Sequence, residues 1–439
     1  MEPTVSVGIL SASSIDVVFL GDFNVEGAAI TGPQSVSLTP DGKISWQGRE
    51  YDGELYFSPA SDGAIFEIKD VVIGVNFHWE RRENQRFVGA AKFIVENGNL
   101  VIVNILPVED YLESVISSEM SANASLELLK AHAVISRSWL LAQIDKNKKI
   151  EAAGEKYSAC TETADSRIKW YDREDHVNFD VCADDHCQRY QGVTRQTTPT
   201  VAQAVRATRG QVLMYDGELC DARFSKCCGG VFEEFENCWE PKHYKYLRAR
   251  LDNVDEEKFP DLTKEENARR WILSRPEAFC NTNDKKILSQ VLNNYDQETT
   301  AFYRWKVTYT REELAKLVKE RSGIDFGDII DLQPVQRGTS GRLVTLRFVG
   351  TKRTMVIGKE LEIRRSLSPS HLYSSAFIVE RHDIDPTTGV PASIALVGAG
   401  WGHGVGLCQI GAAVMGAKGY GYDEILKHYF ADAEVKAIY

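Results

Sequence analysis

Long apolar runs and an excess of basic charge are both missing from this sequence. No stretch of eighteen apolar residues occurs in the 439-residue chain, so the sequence predicts no membrane-spanning helix. Lysine and arginine together number 51 against 63 aspartates and glutamates, which gives a formal net charge of -12. Because no general basic field would attract a polyanion, the sequence argues against a nucleic-acid partner.

Cysteine is also scarce, and the first residues carry no export signal. Nine cysteines in 439 residues are too few for a disulfide scaffold, and their odd number leaves at least one thiol free unless an intermolecular bond forms. Cys220, Cys227, Cys228 and Cys238 lie within nineteen positions and could be bridged in an exported protein, but spacing does not give the pairing. The start, MEPTVSVGIL, lacks a basic region followed by an apolar one.

The order of predicted elements indicates an α+β fold. Short β-rich runs separated by turn residues fill residues 1–105, and we expect a β-rich N-terminal region there. A long helix after a turn at Glu119, later β-hairpins, and a C-terminal glycine loop with a helix predict a core at 106–240 and 297–439. The polar segment 241–296 reads as a helical insertion.

Short sequence patterns predict where several of these elements begin, turn or end. Asn97-Gly98 predicts a hairpin turn. Two patterns of Thr followed three residues later by Glu, at Thr263 and Thr310, predict capping boxes at helix starts, and Gly323 is expected to end the second helix in a left-handed conformation.

Residues 107–144 contain the best candidate for catalysis. Glu119 is predicted to lie in a polar turn before a long helix, which Asn123 can cap. Lys130 and Arg137 are two helical turns apart and therefore point to about the same side. A partly dehydrated carboxyl in a groove suits a general acid. The alternative is a solvated turn residue beside a solvated cationic face.

A second segment concentrates metal ligands. His176, Cys182, His186 and Cys187 fall within twelve residues, and zinc binds thiolate sulfur and imidazole nitrogen tetrahedrally. The predicted ligands are His176, Cys182 and Cys187, with His186 as the alternative. Such a zinc ion would hold a loop rather than perform chemistry. The competing interpretation places a cysteine in a disulfide and both histidines in solvent.

The C-terminal stretch Gly398–Gly406 is rich in glycine but is not a nucleotide-binding loop. No Lys-Ser/Thr pair follows it, and its glycine spacing is not that of a dinucleotide fingerprint. Glycines permit close backbone approach to a ligand, and Trp401 and His403 could offer a stacking face or a proton. A histidine among glycines can equally be a hydrogen-bonded structural group.

Several motifs resemble the SpoIID/LytB family of cell-wall proteins, the stage II sporulation protein D and amidase-enhancer group. They are Glu109–Leu112, Ser118–Met120, Leu129–Arg137, the spacing of Ser225, Gly229, Gly230, Glu233, Asn237 and Trp239, and residues 398–412. Phe232, Cys227 and Cys228 depart from the family pattern. The His186-Cys187-Gln188 step also matches the family, in which some members hold zinc.

The resemblance implies an activity and a set of site residues. Glu119 would be the acid/base of a peptidoglycan lytic transglycosylase, which gives 1,6-anhydromuramyl ends with one carboxyl. The implied substrate-binding residues are Lys130, Arg137, Ser225, Gly229, Gly230, Trp401, His403, Gly404 and Gln409. The alternative is a non-catalytic wall-binding protein that enhances an N-acetylmuramoyl-L-alanine amidase. The expected partners are glycan strands and a cell-wall amidase, in an extracytoplasmic location with the export signal removed.

Overall fold

The structure is a computed structural model that describes residues 1–61, 63–74, 80–121, 123–153, 158–171, 176–184, 186–195, 199–254, 258–291 and 300–439. Parts of the predicted insertion, 255–257 and 292–296, lie outside these residues. The helices are α1 (Val108–Glu119), α2 (Leu126–Ala153), α3 (Pro199–Ala207), α4 (Phe235–Cys238), α5 (Glu265–Leu273), α6 (Lys285–Val291), α7 (Arg311–Ser322), α8 (Glu360–Ser366), α9 (Gln409–Ala417) and α10 (Tyr422–Tyr429).

Strands alternate with these helices along the chain and dominate its first quarter. Those before α1 are β1 (Thr4–Ala12), β2 (Ser14–Val25), β3 (Ala28–Leu38), β4 (Ile44–Trp46), β5 (Arg49–Tyr51), β6 (Glu54–Pro59), β7 (Ile65–Ile73), β8 (Arg81–Val88), β9 (Ala90–Glu96) and β10 (Asn99–Pro107). Those after α2 are β11 (Cys160–Glu162), β12 (Ser166–Lys169), β13 (Val181–Cys182), β14 (Gln211–Tyr215), β15 (Glu218–Leu219), β16 (Phe224–Ser225), β17 (Arg304–Thr310), β18 (Ile329–Arg337), β19 (Leu343–Gly350), β20 (Thr354–Gly358), β21 (Phe377–Ile384), β22 (Pro391–Ala399), β23 (Leu407–Cys408) and β24 (Glu434–Ala437). The α+β prediction is confirmed.

The chain forms two compact units. The first comprises Met1–Asn147, Arg173–Val212 and Lys436–Tyr439, and the second comprises Lys148–Asp172 and Leu213–Val435. The β-rich N-terminal region and α1 therefore belong to one unit, because β10 runs directly into that helix. These units divide the chain at other places than the predicted domain bounds. No helix within the described residues is both long and apolar enough to cross a membrane.

The first unit is built on one large sheet with the strand order β13-β1-β10-β9-β6-β2-β3-β4-β5, to which β7 and β8 add through β2. The strands bury alternate residues, and phenylalanines from neighbouring strands meet in the core, as Phe19 and Phe57 do with ring centroids 4.9 Å apart. The β9–β10 hairpin turns at Asn97 and Gly98, both with positive φ, as predicted. At one edge β1 pairs in parallel with β13, which carries Cys182.

The second unit contains smaller sheets, β11-β12-β20-β19-β18 and β17-β22-β21, around a core that includes Trp305, Phe326 and Phe348. The capping box predicted at Thr310 is present at the start of α7, and Gly323 ends that helix at φ 73°. The box predicted at Thr263 is wrong. Helix α5 begins at Glu265 with Lys264 as its N-cap, while the Thr263 hydroxyl bonds to Asp261 instead.

Candidate functional site

Glu119 is the last residue of α1 rather than part of a turn before a helix. Helix α1 follows Pro107 directly, and Met120 leaves it with an extended backbone. Apolar residues recur along α1 at three- and four-residue steps, and all of them are buried: Val108, Tyr111, Leu112, Val115 and Ile116. This pattern was readable from the sequence, and the prediction that Glu119 lies in a polar turn before a long helix is wrong because residues 108–119 already form a helix.

The next helix also begins differently from the prediction. Ser125, not Asn123, supplies the capping oxygen, because its Oγ accepts a hydrogen bond from the Leu128 N–H at 3.3 Å. Asn123 is exposed, and its own N–H donates to Ser121 Oγ at 3.2 Å. The link between α1 and α2 is thus held by two serine hydroxyls.

The Glu119 carboxyl is partly buried and contacts the segment that follows Cys187. The backbone N–H of Arg189 donates to Glu119 Oε1 at 3.3 Å. The same segment is bonded to α1 again through Ser114, whose Oγ accepts from the Gln191 N–H at 3.2 Å and donates to the Gly192 carbonyl at 2.8 Å. Residues 189–192 are therefore fixed along the helix that ends in the candidate acid.

Four metal-ligating side chains converge at the start of this segment. One ligand atom from each of His176, Cys182, His186 and Cys187 lies within 4.8 Å of the others. His176 Nε2 is 3.2 Å from Cys187 Sγ, and His186 Nδ1 is 3.6 Å from the same sulfur and 4.0 Å from Cys182 Sγ. Two sulfurs and two nitrogens at this spacing fit a closed tetrahedral zinc site. His186 joins the set as a fourth candidate ligand.

The surroundings favour a thiolate at this cluster. Hydrogen bonds from Cys187 and the two histidines hold the pKa of Cys182 far below its ordinary value, despite burial. The backbone N–H of Cys182 points to Cys187 Sγ at 3.4 Å. Cys182 and Cys187 are free thiols in the structure, so the competing disulfide does not form here. A zinc ion as ligand of this cluster stays a prediction.

The two predicted cations of α2 have different environments. Lys130 is partly exposed and pairs with Glu127 Oε1 at 2.7 Å on its own helix. Arg137 is fully buried and forms a two-pronged ion pair with Glu109 of α1. Its guanidinium is enclosed and held in this ion pair, and a contact of Arg137 with a glycan stays a prediction.

The glycine loop belongs to the second unit, where it packs against protein. Gly400, Gly402, Gly404 and Gly406 alternate along the loop, all with φ between 72° and 91°. A Cβ on Gly404 would lie 2.4 Å from Arg342 Cζ. Gly229 and Gly230 are also enclosed, since a Cβ on Gly229 would meet the backbone N of Gly400 at 3.0 Å and a Cβ on Gly230 the Tyr303 hydroxyl at 2.9 Å. These glycines are needed for close packing within the protein, so the loop is not an open ligand cradle.

His403 is held in place by hydrogen bonds of its ring. Its Nδ1 accepts from the Val405 N–H at 3.0 Å, and the ring also forms a hydrogen bond with the Phe224 backbone. Burial, together with Arg223, Arg342 and Arg364, holds its pKa well below the ordinary value, so the imidazole is neutral. This arrangement matches the structural alternative considered for a histidine among glycines.

The remaining predicted contacts in this unit differ in accessibility. Ser225 is 7% exposed, and its Oγ has no hydrogen-bond partner among the described residues. Trp401 is partly exposed and packs against Phe302 and Tyr373 with centroid distances of 4.7 and 4.4 Å. Gln409 is buried. Their roles toward a glycan, like that of Lys130, stay predictions.

The structure also gathers residues that sequence reasoning missed. Cys228, Cys280 and Cys408 meet Asp252 inside the second unit, although 180 residues separate the first and last cysteine. Arg189 was missed as well, because it contacts Glu119 through its backbone N–H, a group that does not depend on the type of side chain. No local spacing signal could have revealed either feature.

Comparisons with known proteins bear on both units. Residues 96–215 match a family model described as Stage II sporulation protein (SpoIID), and residues 233–406 match a domain of unknown function, DUF8618. An uncharacterized protein of Brachyspira hyodysenteriae is 25% identical over 376 residues, covering 85% of this chain and 76% of that protein. The Stage II sporulation protein D of Bacillus subtilis is 22% identical, covering 78% of each chain. The Amidase enhancer of Bacillus subtilis is 24% identical, covering 73% of this chain and 39% of that protein.

Proposed function

Since the chain belongs to the SpoIID family, we propose that it is a peptidoglycan lytic transglycosylase with Glu119 as its acid/base. The observation that carries the proposal is the position of this carboxyl, which is partly buried at the end of α1 with Oε1 accepting from the Arg189 N–H at 3.3 Å. The SpoIID match spans Glu119 and the whole His176–Cys187 cluster.

The reaction requires one carboxyl that exists first as an acid and then as a base. Glu119 donates its proton to the bridging glycosidic oxygen as the bond from that oxygen to C1 of the muramyl sugar breaks. The Glu119 carboxylate then takes the proton from the C6 hydroxyl of the same sugar, whose oxygen bonds to C1. Hydrolytic glycosidases use a second carboxylate with water, whereas here the C6 oxygen replaces water.

The end of a helix suits the first of these steps. Glu119 lies at the C-terminal, negative end of the α1 dipole, which disfavours negative charge there. Partial burial acts in the same direction, because it removes water from an ionised carboxylate. The Arg189 N–H opposes both effects, since it stabilises the carboxylate that forms after proton transfer.

The zinc ion that fits the cluster of His176, Cys182, His186 and Cys187 would have a structural role. When bound, it supplies a rigid crosslink and no reaction step. Arg189 is only two residues beyond Cys187, so fixing that cysteine also fixes the N–H that meets Glu119. Glycan strands in the extracytoplasmic wall are the proposed substrate.

The test uses purified full-length protein and isolated glycan strands, with and without their stem peptides. Mass spectrometry should find 1,6-anhydro ends with the wild type and at least about 100-fold fewer with Glu119→Gln, because a general acid contributes about 10²–10⁴-fold. Glu113→Gln is the matched control, since Glu113 is also a partly buried glutamate of α1. Equal amounts of anhydro ends from wild type and Glu119→Gln would exclude Glu119 as the acid/base, and no anhydro ends from either would exclude the enzyme.

A second candidate function comes from the relative named Amidase enhancer. In that case the chain would bind glycan strands and stimulate a cell-wall amidase without cleaving the strands itself. Amidase turnover measured with each variant separates the two functions. An enhancer predicts that Glu119→Gln stimulates the amidase as well as the wild type does, and that neither releases anhydro ends.

A further inference from the structure

Four buried side chains from distant parts of the second unit form what we call the Cys228 cluster: Cys228, Asp252, Cys280 and Cys408. One ligand atom from each lies within 4.8 Å of the other three. Cys408 ends β23, which pairs with the strand just before Cys228, whereas Asp252 and Cys280 belong to segment 241–296. All four residues are buried.

The distances fit a metal better than a disulfide. Cys228 Sγ lies 3.5 Å from Cys280 Sγ and 3.5 Å from Asp252 Oδ2. Sulfurs about 2.3 Å from a tetrahedral zinc ion are about 3.8 Å apart, whereas bonded disulfide sulfurs are about 2.05 Å apart. The three cysteines of the cluster are free thiols in the structure. Their spacing is therefore close to that of ligands around one central ion.

Backbone and hydroxyl donors are directed at the same ligand atoms. The Cys228 N–H points to Cys408 Sγ at 3.2 Å, and the Gly230 N–H points to Cys228 Sγ at 3.4 Å. Asp252 Oδ2 accepts from the Cys280 N–H at 2.9 Å, and Oδ1 accepts from the Tyr429 hydroxyl at 3.0 Å. Donors of this kind orient ligands and stabilise their charged forms in metal sites.

Two arginines lie next to the cluster, and the buried carboxylate of Glu233 approaches one of them, Arg342, only through the hydroxyl of Ser340. Buried Arg342 donates to the carbonyls of Cys228 and Gly402 and to Ser340 Oγ, with no carboxylate partner in the described part of the chain. Arg304, which is partly exposed, also donates to backbone carbonyls, among them that of Gly229 at 3.1 Å. A buried cation needs a counter-charge. Three thiolates and a carboxylate around a divalent ion would provide one, with a net charge of -2.

We propose that the Cys228 cluster is a second zinc site, in which the thiolates of Cys228, Cys280 and Cys408 and the carboxylate of Asp252 bind one ion. Thiolate ligands select zinc over harder divalent ions. Four protein ligands leave no open position, so the site is structural. It joins segment 241–296, through Asp252 and Cys280, to Cys228, which follows β16, and to Cys408 of β23. Cys227 lies beside the cluster, where its thiol is within hydrogen-bonding reach of those of Cys280 and Cys408.

Metal content measured by plasma mass spectrometry on the purified full-length protein tests this site. We expect two zinc ions per chain in the wild type, one in Cys280→Ser and one in Cys187→Ser. Cys220→Ser is the matched control, because Cys220 is a buried free thiol of the same unit outside the cluster, and it should retain both ions. If the His176–Cys187 cluster binds no zinc but the Cys228 cluster does, the wild type holds one ion. Cys280→Ser then loses that ion, and Cys187→Ser keeps it.

A second measurement does not depend on the folding of the cluster variants. X-ray absorption at the zinc edge of Cys187→Ser should show three sulfurs and one oxygen around the remaining ion. Zinc content that is unchanged by Cys280→Ser in a folded protein would overturn the proposal. Peptide mapping of the wild type that recovers a Cys228–Cys280 disulfide would overturn it as well.

Discussion

Arg137 on α2 and Glu109 on α1 form a doubly hydrogen-bonded ion pair inside the first unit, with Nε to Oε1 at 2.9 Å and Nη2 to Oε2 at 2.7 Å. Glu109 also accepts from the Gly210 N–H and the Tyr439 hydroxyl, and Arg137 Nη1 donates to the Gln211 carbonyl at 2.9 Å. Although burial alone would raise the pKa of Glu109, these donors lower it. The pair thus fixes the helix that ends in Glu119.

Glu109→Gln should destabilise the protein strongly, because it leaves the fully buried Arg137 guanidinium without its counter-charge. Breaking one side of a buried ion pair costs about 3–5 kcal/mol. Denaturant unfolding measures this loss. Glu127→Gln makes the same change in the partly exposed pair with Lys130 and should cost at most about 1 kcal/mol. Equal losses in the two variants would contradict the structural role of Arg137.

Gly404→Ala should destabilise the second unit through a clash as well as through backbone strain. Gly404 has φ +78°, and a Cβ there would lie 2.4 Å from Arg342 Cζ. Gly217 is the matched control, because its φ of +83° is similar while a Cβ would meet nothing within 4 Å. Gly217→Ala should cost about 1–2 kcal/mol from strain alone, and Gly404→Ala more. Thermal unfolding compares the stability of the two variants. Equal losses would mean that the loop around Gly404 rearranges to relieve the clash without losing stability.

Much of the fold could be predicted because its signals are local. The Asn97-Gly98 turn and the Thr310 capping box each need only a few neighbouring residues, and both are present. The ion pair of Arg137 could not be predicted, because its partner, Glu109, is 28 positions away and is brought to it only by helix packing. Cys280 had no neighbouring cysteine to suggest a ligand role, since Cys228 is 52 positions away and Cys408 is farther still.

His371 should make stability depend on pH below neutrality. Burial, followed by the charges of Arg364, Arg365 and Arg321, lowers the pKa of His371 to about 3. The folded state therefore keeps the imidazole neutral, while the unfolded chain binds a proton below the ordinary value of 6.5. Stability from this group is complete above pH 6.5 and is lost as the pH falls from 6.5 toward 3.

His371→Gln removes this contribution, so the free energy of unfolding of the wild type should fall faster with decreasing pH than that of the variant. The difference in slope is at most about 1.4 kcal/mol per pH unit. Urea unfolding at pH 7.5, 6.0 and 5.0 measures it. His382→Gln is the control, because His382 is an exposed histidine of β21. Parallel pH curves for wild type and His371→Gln would show that His371 takes up its proton in the folded state.

Cys187→Ser should loosen the segment that meets Glu119 while leaving that carboxyl in place. Cys187 Sγ contacts both histidines of its cluster, at 3.2 Å from His176 Nε2 and 3.6 Å from His186 Nδ1. The substitution therefore removes the sulfur that both histidines contact. If zinc is bound there, losing that zinc should lower stability by about 2.7 kcal/mol when free zinc exceeds the dissociation constant 100-fold. Calorimetry with and without added zinc measures this, and Cys160→Ser, a change at an exposed free thiol, should have no effect.

The same variant tests the link from metal to catalysis. The Arg189 N–H that donates to Glu119 is two residues beyond Cys187, so without a fixed Cys187 we expect fewer anhydro ends per folded molecule. A variant is needed here, because a chelator would also strip the Cys228 cluster. A folded Cys187→Ser protein that loses zinc yet keeps full product formation would show that Glu119 does not depend on this metal site for its position.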